Sequence, residues 1–321
     1  MSKQDDTKQL WKLCFGDSDD FIRFYFDAKY SDENTFAIYE NNKMVSVLQA
    51  IPYQIHTLGQ TFNAAYISGA CTHPEYRNRG YMSRLLQQTI QTLYERNVPL
   101  TFLIPQEEWL CKYYAQFGFS SNLNRSEMVH ATHSFSNEYE VLPVQKNSYE
   151  NILNSYRKYA VKTNCVLHDS TDFLNNLIEV KLSGGEILAI SNEDEIQAFA
   201  LLRETTLEIF GELKYTDSFC AYCKRKGMPY PTILTQNSGK KVPHGMIRIV
   251  CTEPILEAFT KINSQQFPNI SLRDNEIAAN NKTITLSNST KTLNDSEKQM
   301  TINDLTSMVF DESIFVNCML E

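Results

Sequence analysis

Ala65-Tyr66-Ile67-Ser68-Gly69-Ala70-Cys71-Thr72-His73-Pro74-Glu75-Tyr76-Arg77-Asn78-Arg79-Gly80-Tyr81-Met82-Ser83-Arg84-Leu85-Leu86 is the stretch from which the rest of the chain can be read. Residues up to Thr72 are rich in small, β-branched and aromatic side chains and predict a strand. A basic turn follows. A helix then opens at about Gly80, with Met82, Leu85, Leu86, Ile90 and Leu93 on one face. The first amides of a helix have no partner inside it, and the helix dipole favours negative charge there. A glycine at that point lets a bulky anion approach the backbone. Arg77, Asn78 and Arg79 add donors at the rim. The chemistry is that of a pyrophosphate cradle, without the G-x-G-x-x-G of dinucleotide folds or the Gly-Lys-Ser/Thr of P-loops.

Working outward, helices are predicted at Thr7–Cys14 and Phe21–Ala28, separated by the stop-and-cap signal Gly16-Asp17-Ser18-Asp19. Two hairpins follow: Thr35–Tyr39 with Met44–Ile51 about Asn41-Asn42, and Tyr53–Thr57 with Phe62–Thr72 about Gly59. Beyond the helix that ends near Arg96, a buried strand is expected at Leu100–Ile104 and a helix at Glu107–Phe117, closed by Gly118. Phe135–Lys146 reads as a linker. Helices at Tyr149–Val161 and Asp172–Lys181, strands at Ile187–Ser191, Gln197–Arg203 and Leu207–Leu213, and a helix at Asp217–Lys226 repeat the earlier order without sequence identity. A small last unit would hold the strand Met246–Val250, the helix Pro254–Ile262, strands at Ser271–Ala278 and Lys282–Ser287, and a helix at Ile302–Phe310 capped by Thr301 and Asp304. Asn288–Lys298 reads as a surface loop, and the apolar tail from Phe315 to Glu321 as a docked one.

At 321 residues the chain suits two or three domains. A content of 42% hydrophobic and 21% charged residues excludes a collagen-like or disordered chain. The net charge of −8 argues against a dedicated nucleic-acid binder. No apolar run reaches the length needed to cross a bilayer. The polar start and eight cysteines without a framework point to reduced thiols in a cytoplasm. Cys220 and Cys223 make a lone C-x-x-C that lacks two further zinc ligands, so no metal is expected.

The run Pro74–Met82 resembles the acetyl-CoA-binding motif R/Q-x-x-G-x-G/A of the GCN5-related N-acetyltransferases, with Met82 where that superfamily usually has Gly or Ala. Downstream, Tyr114-Ala115-Gln116-Phe117-Gly118-Phe119 resembles its Y-x-x-x-G-F. Over the whole chain the likeness is to the Eis-like (enhanced-intracellular-survival) acetyltransferases; Leu10-Trp11-x-x-Cys14-Phe15, Ser271-Leu272-Arg273-Asp274 and Asn281-Lys282 fit that layout. The resemblance implies an α/β (α+β) fold, a mixed central sheet flanked by helices. It further implies three domains: a catalytic one at 1–135, a second copy without the cofactor motif at 136–245, and a sterol-carrier-protein-like one at 246–321.

By the same resemblance, the backbone of Ala70, Cys71 and Thr72 would hold the pantetheine arm of acetyl-CoA. Amides from Asn78, Arg79, Gly80, Tyr81, Met82 and Ser83, with Arg77, would hold the pyrophosphate. Trp109 and Leu110 match positions that touch the cofactor. Tyr114 would be the general acid, with a core tyrosine as the alternative, and the terminal carboxylate of Glu321 the base. His73 reads as a turn residue. The implied reaction is acetylation of a primary amine: an aminoglycoside-like compound, a polyamine or a lysine side chain. A non-catalytic acetyl-CoA sensor is the alternative. Related enzymes assemble into oligomers, but no residue pattern here specifies an interface.

Overall fold

A computed structural model describes residues 2–128, 135, 137–160, 162–193, 195–204, 206–228, 232–235, 239–263, 269–284, 298–311 and 314–316. By contacts the chain divides into two compact units: Met1–Leu123 with His244–Ser313, and Asn124–Pro243 with Ile314–Glu321.

The first unit opens with α1 (Lys3–Phe15) and α2 (Asp19–Lys29). Gly16, at φ +77°, ends α1 and donates its N–H to the Lys12 carbonyl, while the Ser18 hydroxyl accepts from the Phe21 amide to start α2. An antiparallel meander follows: β1 (Thr35–Glu40), β2 (Lys43–Thr57) and β3 (Gln60–Thr72). Both turns carry positive φ at their two central residues, Asn41 and Asn42 in the first and Leu58 and Gly59 in the second, as a two-residue hairpin with right-twisted strands requires.

Tyr53–Thr57 is not a separate strand, because β2 runs unbroken through Pro52. That proline pairs with Ala65 beyond the last partner on β1, Thr35↔Gln49, so its missing N–H costs no bond to β1.

A crossover through α3 (Tyr81–Glu95) places β4 (Leu100–Leu103) parallel to β3. The short α4 (Trp109–Ala115) and the start of β5 (Ser120–Met128), a strand not foreseen in the sequence, complete the N-terminal part.

Residues Met246–Ile249 add antiparallel to β4, so the late segment extends the early sheet. Met246, Val250 and Ile277 share one core with Leu48, Ile67, Leu85, Leu86, Phe117 and Phe119. The helix Thr252–Ile262, a three-stranded sheet of Thr283–Ile284, Ile270–Arg273 and Lys298–Thr301, and the helix Ile302–Val309 follow. The capping box of Thr301 and Asp304 forms. Most of the expected loop Asn288–Lys298, and residues 285–287 of the strand expected at Lys282–Ser287, lie outside the described residues; Thr283–Ile284 of that strand forms, and Lys298 itself starts a strand.

The second unit repeats the order of the first on its own: helices Tyr149–Ala160 and Ser170–Leu182, an antiparallel meander of Glu186–Asn192, Glu195–Arg203 and Thr206–Phe210, a helix Thr216–Arg225, and Thr232–Thr235 parallel to the third strand. Cys220 and Cys223 are fully buried in its core with Phe219 and Ile233. The fold is the mixed α/β architecture that the sequence implied. No helix among the described residues is long and apolar enough to cross a membrane.

Candidate active site

The site starts from a defect in β3. Gly69 sits at φ +59° with the Trp11 ring against it, so close that a Cβ there would lie 2.2 Å from Cζ3. The β2 register breaks at this point, Val47 facing Cys71 and Gln49 facing Ser68, which sets two residues of β3 against one of β2. On its other side β3 leaves β4 after Tyr66↔Phe102. Residues 67–72 therefore run on past the end of the β4 ladder. There the Cys71 carbonyl accepts from Ser46 Oγ at 3.2 Å, and the Thr72 carbonyl from Arg77 Nε at 3.2 Å and Cys14 Sγ at 3.6 Å.

The turn after β3 has backbone features that suit an anion. His73 Nδ1 accepts from the Glu75 amide, as a turn residue would. Asn78 and Gly80 take positive φ (+61° and +77°) on either side of Arg79, the alternation that points successive amides into one concavity. Gly80 is the N-cap of α3, makes no side-chain cap bond, and is followed by no acidic residue in the first turn. A Cβ at Gly80 would meet nothing within 4 Å, so that side of the backbone faces open space.

These elements enclose a cavity of about 380 Å³. Of the residues expected from sequence, Ala70, Cys71, Thr72, Arg77, Asn78, Gly80, Tyr81, Met82, Ser83, Trp109, Leu110 and Tyr114 all line it. Arg79 packs elsewhere: its guanidinium lies 5.0 Å from the Tyr76 ring centroid and donates to the Glu75 carbonyl. Glu321 lies outside the described residues. Cys14, Phe15, Tyr76, Gln106 and Tyr113 also line the cavity. Packing of α1 against β3 brings Cys14 and Phe15 to the site, and helical spacing alone does not encode that packing.

Tyr114 is 8% exposed. Burial raises the pKa of its phenol first, and negative charge on Tyr113 or Cys71 would raise it further, so the group holds its proton throughout the neutral range. Tyr113 beside it pairs with Ser83 Oγ at 3.1 Å.

The loop that ends α4 is gripped from far along the chain. Arg248 is fully buried, binds both carboxylate oxygens of Asp274 at 2.8 Å, and donates to the Phe117 carbonyl at 2.6 Å. Asn303 Nδ2 donates to the carbonyls of Ala115 and Phe119, each at 2.9 Å, and Ser120 Oγ returns a bond to the Asn303 carbonyl at 2.9 Å. These residues fix the turn that follows Tyr114. Sequence reading singled out neither Arg248 nor Asn303.

Residues 2–121 match the family model for the acetyltransferase (GNAT) domain. Among solved structures the chain is similar to a probable N-acyltransferase of Enterococcus faecalis V583, at 16% identity and a TM-score of 0.74, covering 95% of this chain and 86% of that one. It is similar to a GCN5-related N-acetyltransferase of Anabaena variabilis at 19% identity and a TM-score of 0.71, covering 96% and 88%. It is also similar to Eis1 of Mycobacterium abscessus at 9% identity and a TM-score of 0.70, covering 96% and 86%. No curated protein matches the chain. The domain makes the chain an acyltransferase, of the class that takes its acyl group from acetyl-CoA or another acyl-CoA. The residues present suit such a donor, with a helix start that has no side-chain cap and a turn with positive φ on either side of Arg79 for the diphosphate, and a strand edge past its ladder for the arm.

Proposed function

We propose that the cavity binds acetyl-CoA and that the enzyme transfers its acetyl group directly to a primary amine. In this reading the neutral amine attacks the thioester carbonyl, a C–N bond forms, the C–S bond breaks, and the departing thiolate takes the Tyr114 proton. The observation that carries the reading is the buried, protonated phenol of Tyr114 in the wall of a cavity that also holds the α3 cradle. Arg77 and the amides from Asn78 to Ser83 would hold the diphosphate, and the backbone of Ala70 and Thr72 the pantetheine. For the base we keep the terminal carboxylate of Glu321, as the Eis-like resemblance implies; turnover unchanged by removal of Glu321 would exclude it. The acceptor class stays that of an aminoglycoside-like compound, a polyamine or a lysine side chain. We also infer the three-part division at 1–135, 136–245 and 246–321, the last part sterol-carrier-like and joined to the early sheet through Met246–Ile249. The described cysteines are all free thiols, which suits a cytoplasmic enzyme.

The test is calorimetric titration of acetyl-CoA into the protein and into Gly80→Glu, where the added carboxylate enters the cradle. Binding by the first and none by the second is expected, followed by thiol release when amines are supplied. No binding by the unmodified protein sinks the proposal.

A further inference from the structure

Two cysteines meet at the wall of the cavity, and the acyl transfer described above uses neither side chain. Cys14 ends α1 and is half-buried; Cys71 lies in β3 and is buried. Both line the cavity, and Cys14 Sγ donates to the carbonyl of Thr72, the residue after Cys71, at 3.6 Å, a carbonyl that also accepts from Arg77 Nε at 3.2 Å. We propose that Cys14 is a nucleophilic thiol that exchanges with the disulfide form of coenzyme A inside this cavity, with Cys71 as the thiol that resolves the adduct. The choice of ligand rests on the acyl-CoA reading above; the thiol pair does not.

The chemistry follows from the surroundings. A thiolate is the attacking species in exchange. The Cys71 thiol donates to Cys14 and the Arg77 charge stabilises the anion, which together bring Cys14 down to about 7 against the effect of burial. Cys71 moves the opposite way, raised because it keeps the shared proton. In the first step the Cys14 sulfur attacks one sulfur of the small disulfide. A Cys14–CoA disulfide forms, the original S–S bond breaks, and one CoA leaves as its thiolate. In the second step Cys71 gives up its proton and attacks Cys14, expelling the second CoA thiol. The two protein thiols are oxidised to one disulfide and the small disulfide is reduced to two thiols. A cavity shaped for a CoA would raise the local concentration of the reacting sulfur. The product would fasten α1 to β3 across the place where the pantetheine arm would lie. It would therefore shut the transferase off until a thiol reductant restored it.

The other cysteines provide the comparison. Cys251 is also half-buried, but burial pushes its thiol up to about 11. At pH 7 the greater thiolate fraction of Cys14, offset by lower intrinsic nucleophilicity, gives about a 3–4-fold advantage over an ordinary thiol. Over Cys251 the margin is larger.

The experiment incubates the full-length protein, Cys14→Ser and Cys71→Ser with coenzyme A disulfide, and in parallel with glutathione disulfide. Reactions are quenched in acid and read by intact mass and peptide mapping. The unmodified protein should lose two hydrogens in mass, mapped to Cys14 and Cys71. Cys71→Ser should accumulate one CoA on Cys14, and Cys14→Ser should show neither product. Coenzyme A disulfide should react at least tenfold faster than glutathione disulfide, and excess acetyl-CoA should slow it. Equal rates with the two disulfides overturn the ligand, and an adduct on another cysteine, or on Cys14→Ser at the original rate, overturns the site. Calorimetry with acetyl-CoA reads the acyl-CoA assignment separately, so failure of one is not mistaken for failure of the other.

Discussion

Replacing Gly118 by alanine puts a methyl group where the structure has no room for one. The added Cβ would fall 1.7 Å from Arg248 Nη1, 2.9 Å from its Cζ and 2.7 Å from Ile302 Cγ2. Arg248 cannot swing aside without leaving Asp274, which is buried with it. Removing one partner from a buried ion pair costs about 3–5 kcal/mol, because the other charge is left uncompensated. Gly118 also sits at φ +86°, where a residue with a side chain adds about 1–2 kcal/mol of strain. The expected loss is therefore roughly 4–7 kcal/mol, a large part of a domain's stability. Gly16→Ala is the control: at φ +77°, with nothing within 4 Å of the added Cβ, it suffers the strain alone. Urea unfolding followed by tryptophan fluorescence suits the measurement, since Trp11 and Trp109 both belong to the first unit. In an Arg248→Met background the clash with the guanidinium is relieved while that with Ile302 Cγ2 remains, so Gly118→Ala should cost about 3–5 kcal/mol less than in the unmodified protein and still more than the Gly16→Ala control. If Gly118→Ala and Gly16→Ala unfold at the same urea concentration in the unmodified background, the grip of Arg248 on this loop is refuted.

Tyr114→Phe should lower kcat by about 10²–10⁴ and leave the calorimetric Kd for acetyl-CoA within twofold; a parallel loss of binding would reassign Tyr114 to packing. Gly69→Ala must displace the Trp11 ring, which an added Cβ would approach to 2.2 Å. A change in tryptophan emission should accompany weakened acetyl-CoA binding, and unaltered emission would argue against the close approach. Alkylation of Cys14 by iodoacetamide should rise about tenfold per pH unit below its midpoint and level off above about 7. Because the folded value is depressed below that of an unfolded thiol, the stability this group adds is complete above pH ~8.5. It falls away as the pH drops through about 7, and a midpoint near 8.5 would mean that the Arg77 and Cys71 contacts do not act.

What was legible in the sequence is what local chemistry dictates. Asn41-Asn42 and Gly59 announced their turns because few other residues adopt positive φ, and Thr301 with Asp304 announced a helix start because the cap is a three-residue affair. The cradle was readable for the same reason: strand, basic turn, glycine and helix are consecutive. Pro52 misled, since a proline breaks a strand only where its N–H is needed, and that depends on how far β1 reaches. Arg248 was invisible because its partner carbonyl is 131 residues away, and nothing in its own neighbourhood asks for a buried charge. The meeting of Cys14 with Cys71 likewise depends on packing α1 against β3, which spacing alone does not encode.

The joining of Met246–Ile249 to β4 bears on how the protein is made. When the ribosome has released residues 2–121, the edge of β4 still lacks its neighbour, and the loop after Tyr114 still lacks Arg248 and Asn303. At ~10 residues per second, the stretch from 124 to 248 takes on the order of 10 s to emerge. During that interval the nascent chain offers an unpaired β4 edge to any other chain nearby. The helices and meander of the second unit, continuous in sequence between 149 and 210, emerge in that same interval, whereas its segment from Ile314 emerges last. Expression of residues 1–135 alone would prolong the vulnerable interval indefinitely, and aggregation of that fragment is its natural consequence.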